Sequence, residues 1–384
     1  MALDSDTLQQ LLRTLESFVH ERLIPLEVQV ADEDQIPESL IAEMRSMGLF
    51  GMTIPEEYGG LGLGTEEECR AVRVLGYTAP AFRSIIGTNN GIGSQGIVMD
   101  GTAAQRAHYL PRMASGEIIG SFALTEPDAG SDSGAVKTSA RRDGDWFVLN
   151  GTKRYITNAP RAQVFTVFAR TNPAESGARG VTAFLVDANT PGISLGKPYR
   201  KMGQQGAHVC DVIFEDCRVP ADAILGGMER LNRGFESAMK TLDRGRLHIS
   251  ALAVGCANRL IDESLRFARD RKQFGQPIAQ FQLIQAMLAD SKAEAYAAEC
   301  MVLDAARRRD AGESVSTFAS CAKLFATEMV GRVADRAVQI HGGAGYMDEY
   351  AVSRFYRDVR LFRIYEGTSQ IQQTIIARNM IREG

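Results

Sequence analysis

The chain has 384 residues, too many for one compact core, and its 45% hydrophobic and 23% charged fractions are those of an ordinary globular protein of two or three domains. A net charge of −4 without any basic run argues against nucleic acid or an anionic membrane as the main partner. Six cysteines and five histidines fall in no metal-ligand spacing, and no apolar run is long enough to cross a bilayer. The expectation is a metal-free cytoplasmic protein whose thiols are reduced and buried.

Residues 1–116 read as a helical domain. Leu8, Leu11, Leu12, Leu15, Phe18 and Val19 recur at helical spacing, and a second helix over 39–47 stops at Gly48, a natural left-handed cap. Further helical stretches are expected over 66–77, 84–98 and 103–114.

Residues 117–227 change texture. Short β-branched and aromatic runs (Trp146 to Leu149, Val164 to Phe168, Val181 to Val186, Val209 to Phe214) alternate with Gly, Asp and Asn turns. No crossover helix fits between them, so an antiparallel barrel or sandwich is expected. Residues 228–384 are helical again, with helices starting near Gly234, over 314–340 and over 370–382. Phe281, Ile284, Leu288, Ser291, Ala295, Ala298, Val302 and Ala305 form a coiled-coil-like stripe that completes a four-helix bundle. The fold class is therefore α+β and multi-domain: helices, a β domain, then a helical bundle.

Five segments have chemical potential. Tyr365-Glu366-Gly367-Thr368 precedes Ser369 and Gln372, which read as a capping box opening the last helix. The free N–H groups of such a helix start favour an anionic group. A carboxylate held among apolar neighbours just upstream would have a raised pKa, as a general base needs; an exposed loop glutamate is the commoner case for this pattern. Phe122-Ala123-Leu124-Thr125-Glu126-Pro127-Asp128-Ala129-Gly130-Ser131-Asp132 is an apolar strand running into a turn rich in hydroxyl and N–H groups. Ile156-Thr157-Asn158, Arg271-Lys272-Gln273-Phe274-Gly275 and Gly342-Gly343-Ala344-Gly345-Tyr346 are unspecific alone. Gly60-Leu61-Gly62-Leu63-Gly64 follows no strand and is no dinucleotide fingerprint.

Together and in this order, the TEPxxGSD, ITN, RxxFG, GGxGY and YEGT elements resemble the acyl-CoA dehydrogenase family over essentially the whole chain. The resemblance implies non-covalent FAD, an acyl-CoA substrate, electron-transferring flavoprotein as acceptor, a homotetramer built as a dimer of dimers, and a place in fatty-acid β-oxidation. It implies that the flavin ring lies against Leu124, Thr125, Tyr155, Ile156 and Thr157, with Ser131 at the pyrophosphate or the CoA chain. It places Arg271, Phe274, Gln339 and Gly343 at the FAD of a neighbouring subunit, and Thr368 and Gln370 at the helix start near the cofactor's negative charge. Asp243 and Arg246 match the element near the CoA pantetheine, and Gly367 lies beside the substrate.

The same resemblance implies that Glu366 takes the α-proton of the thioester while the β-hydrogen leaves as hydride. Some relatives carry the base at the position of Gly245, and glycine there leaves Glu366 as the candidate. Tyr155 stands where most members have tryptophan, which puts the usual acceptor protein in doubt. Arg83-Ser84 resembles the glutaryl-CoA branch, in which the arginine holds a distal carboxylate; the run Tyr365 to Gln372 resembles the short-chain branch. The rival expectations are an acyl-CoA oxidase or flavin monooxygenase on the same scaffold, and an inactive flavin-binding partner protein. The short stretch after the YEGT element disfavours the oxidase.

Overall fold

The computed structural model describes residues 3–383. The N-terminal region packs α1 (Ser5–Phe18), α2 (Glu27–Glu33), α3 (Glu38–Ser46), α4 (Thr65–Leu75), α5 (Pro80–Thr88), α6 (Gln95–Asp100) and α7 (Ala103–Ala114). Leu15, Phe18, Leu40, Ile41, Leu75, Phe82 and Ile86 form its core. Asp4 caps α1 by accepting the Asp6 and Thr7 N–H groups, and Gly48 beyond α3 takes the expected left-handed conformation (φ 72°).

The middle region is one seven-stranded sheet: β1 (Gly120–Ala123), β2 (Ser139–Asp143), β3 (Trp146–Thr157), β4 (Val164–Arg170), β5 (Val181–Asp187), β6 (Ile193–Leu195) and β7 (Val209–Pro220). It is largely antiparallel, as the short intervals require, with two departures, both on β4. β2 meets it in parallel where Ser139 lies opposite Arg170. β1 pairs parallel to β4, Gly120 opposite Val164, because the β2–β3 hairpin between them carries the chain back to its starting edge. β3 is bulged between Lys153 and Ile156, and Tyr155 there adopts a positive φ of 58°.

The C-terminal region is built on α8 (Gly234–Asp270), α9 (Gln282–Asp310), α10 (Ser316–His341), α11 (Ala351–Val359) and α12 (Ser369–Glu383). Ala298, Val302 and Ala305 of α9 meet Leu252, Cys256, Ala322, Ala326 and Val330 in one core, so small residues let the long helices approach closely. Along the stripe on α9, Ser291, Ala295, Ala298, Val302 and Ala305 are buried, and Phe281, Ile284 and Leu288 near its start are half-buried against Ala268, Ile278 and Ile340.

The cysteine expectation holds for Cys69, Cys210, Cys217 and Cys256, which are buried; Cys300 is exposed on the outer face of α9. No helix among the described residues is long and apolar enough to cross a membrane, and no cluster among them could hold a metal ion.

Candidate active site

The three regions meet around a cavity of about 530 Å³. Arg83, Gly87 and Ile92 line it from the N-terminal region. Leu124, Thr125, Ser131, Tyr155, Ile156 and Thr157 line it from the sheet. Phe235, Gly245, Arg246 and His248 come from α8, and Tyr365, Glu366, Gly367 and Arg378 from the final loop and helix. Eleven of the sequence-derived positions thus share one space, although they span most of the chain: Arg83, Leu124, Thr125, Ser131, Tyr155, Ile156, Thr157, Gly245, Arg246, Glu366 and Gly367.

Glu366 and Gly367 are consecutive residues with positive φ (56° and 87°), which reverses the chain between Tyr365 and α12. For a glutamate this conformation costs about 1–2 kcal/mol, so the surroundings must impose it. They do so through the backbone. The Gln372 amide donates to the carbonyls of Glu366 (3.2 Å) and Gly367 (3.0 Å), and the buried Lys323 ammonium donates to the Gly367 carbonyl (2.7 Å). The carboxylate itself is left alone. Its Oε2 is fully buried and has no hydrogen-bond partner. Burial pushes the Glu366 pKa above the usual carboxylate range, and the nearby charges of Arg83, Arg246 and Lys323 only partly oppose this. The Glu366 N–H likewise has no acceptor among the described residues.

Gly245 lies directly against this carboxylate. A Cβ built there would lie 2.6 Å from Oε2 of Glu366, so any side chain at 245 collides with it. The two helices therefore supply one carboxylate between them. Arg246, one residue on, is buried and ion-paired with Asp243, which lies behind the cavity wall.

The cap of α12 differs from the expected capping box. Thr368 is the cap, its hydroxyl accepting the Ile371 N–H at 3.2 Å. Ser369 instead donates to Glu328 at 2.6 Å, because α10 brings that carboxylate alongside. Gln372 turns to the carbonyls before the helix rather than to a serine amide. Gln370 points outward and does not line the cavity.

On the sheet side, Glu126 of the TEP turn is a buried structural pin. It accepts the Lys137 N–H (2.6 Å), the Thr138 N–H (2.9 Å) and the ammonium of the fully buried Lys153 (2.7 Å). Lys153 also donates to the Leu124 carbonyl at 3.2 Å, tying the turn to β3. Burial draws the Lys153 pKa down to about 8, and its ion pair holds the Glu126 carboxyl below the usual range against burial. The turn thus fixed presents unspent polar groups. The hydroxyls of Thr125, Ser131, Ser133 and Thr157 line the cavity without a protein partner among the described residues, as do the N–H groups of Ser131 and Asp132. Free donors beside an apolar wall of Leu124 and Ile156 fit a flavin ring and its phosphates. Tyr155, 59% exposed, closes the rim against Tyr199, with the Arg154 guanidinium over its ring.

Arg271, Phe274, Gln339 and Gly343 are not brought into this cavity. They lie at the outer end of the bundle, where Ala268, Ile278 and Ile340 pack together, and Phe274 is 93% exposed. Three titratable residues at or behind the cavity escape motif reading: His248, Lys323 and Arg378. Each lies inside a helical pattern where spacing alone assigns it to packing or solvent.

The comparisons agree with this layout. Family models described as acyl-CoA dehydrogenase N-terminal, middle and C-terminal domains match residues 5–117, 121–217 and 232–381. The chain belongs to the acyl-CoA dehydrogenase family and is an oxidoreductase; members are flavoproteins, so FAD is the expected cofactor. It is 42% identical to the 3-(aryl)acrylate reductase of Clostridium sporogenes over 97% of this chain and 98% of that one. The butyryl-CoA dehydrogenase structure from Megasphaera elsdenii superposes with a TM-score of 0.95 at 34% identity, covering 100% of both chains. A glutaryl-CoA dehydrogenase in complex with glutaryl-CoA gives 0.93 at 32% identity, covering 100% of this chain and 96% of that one.

Proposed function

We propose that this protein interconverts a short acyl-CoA and its 2-enoyl thioester, with Glu366 as the base at Cα. The observation that carries this reading is the buried, unpartnered Oε2 of Glu366 on a strained loop that opens into the shared cavity. A bound FAD supplies hydride acceptance from Cβ. The Glu366 carboxylate takes the α-proton, and its raised pKa matches it to a weak carbon acid. The free Glu366 N–H is suited to polarising the thioester carbonyl, as an oxyanion-hole donor does. The unpaired hydroxyls of Thr125, Ser131 and Thr157 would hold the flavin and its phosphates, and Arg246 the pantetheine side. Thr368, the cap of α12, would offer the helix start to the cofactor's negative charge.

Arg83 supports a narrower substrate class, a short acyl group ending in an acidic function. Its guanidinium lines the cavity and forms no ion pair among the described residues. A distal carboxylate would complete it with charge-assisted bonds.

A reductive reading has its own support in the similarity to an arylacrylate reductase. By microscopic reversibility the same Glu366, protonated, delivers a proton to Cα. The exposed Tyr155, packed against the half-buried Tyr199, is the proposed docking patch for an electron-transferring flavoprotein. Phe274, Leu283 and Tyr346, all exposed on the bundle, support a homotetramer in which Arg271, Phe274, Gln339 and Gly343 reach a neighbour's FAD.

The test is a panel of saturated and enoyl thioesters, run with artificial electron acceptors and donors. Purified protein is expected to be yellow, and anaerobic acyl-CoA to bleach it. Glu366→Gln keeps the colour and slows bleaching about 10²–10⁴-fold, the usual worth of a positioned base. Undiminished bleaching in that variant removes the proposed base. Arg83→Met lowers kcat/KM for glutaryl-CoA far more than for butyryl-CoA; equal effects on both remove the acidic-substrate reading.

A further inference from the structure

Behind Arg83 lies a buried array of charged groups for which the reaction at Cα has no use. Arg83 is 7% exposed, and its Nε donates to Nε2 of His248. On the far side of the ring, Nδ1 of His248 meets Oε1 of Glu68 at 2.7 Å. The other Glu68 oxygen accepts Nε of Arg244 at 2.6 Å, and Arg244 goes on to the Gln95 side chain (2.9 Å) and the Leu63 carbonyl (3.2 Å). Helices α4, α5 and α8 thus converge on one imidazole.

The tautomer of that imidazole follows from its neighbours. A guanidinium is always protonated and has no acceptor, so Nε2 of His248 must present its lone pair to Arg83. The ring proton is therefore on Nδ1, facing the Glu68 carboxylate. A doubly protonated ring would set N–H against N–H, and burial together with the Arg83 charge draws the His248 pKa down to about 4. Burial alone would raise the Glu68 pKa, but Arg244 and His248 hold it at about 2. Glu68 is already matched by Arg244, so Arg83 has no carboxylate of its own in the array. Its two terminal nitrogens have no protein partner among the described residues, and the residue lines the cavity. Gly87 completes the arrangement. A Cβ there would lie 2.5 Å from Nε of Arg83 and 2.9 Å from Nε2 of His248, so a side chain at 87 would break the contact.

We propose that His248 is a positioning residue for substrate specificity: by accepting the Arg83 Nε–H it aims the guanidinium fork into the cavity, while Glu68 fixes the imidazole tautomer. This rests on the reading that Arg83 meets the acidic end of the acyl group. A preorganised fork loses less freedom on gripping a carboxylate than a mobile arginine, so the ring acts on the acidic substrate alone.

Two near-isosteres separate this role from plain packing. Glutamine can put an acceptor where Nε2 is, while giving up the bond to Glu68. Asparagine can keep a donor where Nδ1 is, while giving up the bond to Arg83. The FAD-loaded enzyme is compared with His248→Gln, His248→Asn and Arg83→Met, by kcat and KM for glutaryl-CoA and butyryl-CoA and by a crystal structure of each histidine variant. His248→Asn is expected to raise KM for glutaryl-CoA about tenfold, the worth of one charged hydrogen bond, to leave butyryl-CoA little changed, and to let Arg83 leave its rotamer. His248→Gln keeps the Arg83 rotamer and most of the preference. If His248→Gln is impaired as much as His248→Asn, or if Arg83 stays in place in both, the proposal is overturned and Glu68 contact alone explains the ring. Arg83→Met tests the substrate reading separately. Should it treat both thioesters alike, that reading fails, and the Arg83 rotamers in the histidine variants still decide the positioning role.

Discussion

Glu126 and Glu366 both hold a carboxylate oxygen out of solvent beside the same cavity, yet they are built in opposite ways. Glu126 spends its oxygens on two backbone N–H groups and the Lys153 ammonium, and its carboxyl is held below the usual range. Around Glu366, Gln372 pins the carbonyl of Glu366 and Lys323 that of Gly367, while Oε2 of Glu366 has no partner and its carboxyl is pushed up. Both positions fix a turn. One does so with the carboxylate, which is then chemically silent. The other does so with the main chain, which leaves the carboxylate reactive. An unsatisfied buried oxygen is destabilising, and its persistence marks the group that the fold exists to present.

The contrast is open to attack at several points. The largest expected effect is on Glu126. Glu126→Leu strands the buried Lys153 charge and costs about 3–5 kcal/mol of stability, seen as a lower thermal midpoint and reduced FAD content. The bleaching rate per bound flavin should hold, and a selective loss of that rate would show that Glu126 takes part in the chemistry. Next comes Gly245→Ala. Its new Cβ, 2.6 Å from Oε2, must displace the carboxylate, and a shift of about 1 Å costs roughly 10²-fold in turnover with FAD content unchanged. Full activity would mean that the carboxylate position is not critical.

These contrasts bear on what the residues reveal before folding. The three-region layout was legible because periodicity changes twice, and Gly48 and the start of α12 were marked by local chemistry. Glu366 was legible as a member of a run, but its orphaned oxygen was not. That property depends on Lys323, 43 positions earlier, and on Gly245, 121 positions earlier. The Glu126–Lys153 pin crosses 27 residues and two strands, so the TEP turn read as a cofactor cradle without its support. The α12 cap slipped by one residue because Thr368 and Ser369 are both competent hydroxyls, and only the position of Glu328 decides between them. The parallel β1–β4 pairing was hidden because strand patterns carry no direction. His248 was invisible because a single histidine within an apolar helical pattern carries no periodic signal.

The most direct test of the central claim is the pH dependence of anaerobic bleaching by butyryl-CoA in a single turnover. A carboxyl with a raised pKa stays protonated, and so idle as a base, to higher pH than an ordinary glutamate. The rate should therefore climb with pH along an acid limb lying above the usual glutamate value of 4.5. Lys323→Met, which removes a cation that favours the ionised form, should move that limb higher still. A limb at the ordinary value, unmoved by Lys323→Met, would contradict the assignment of Glu366 as the buried base.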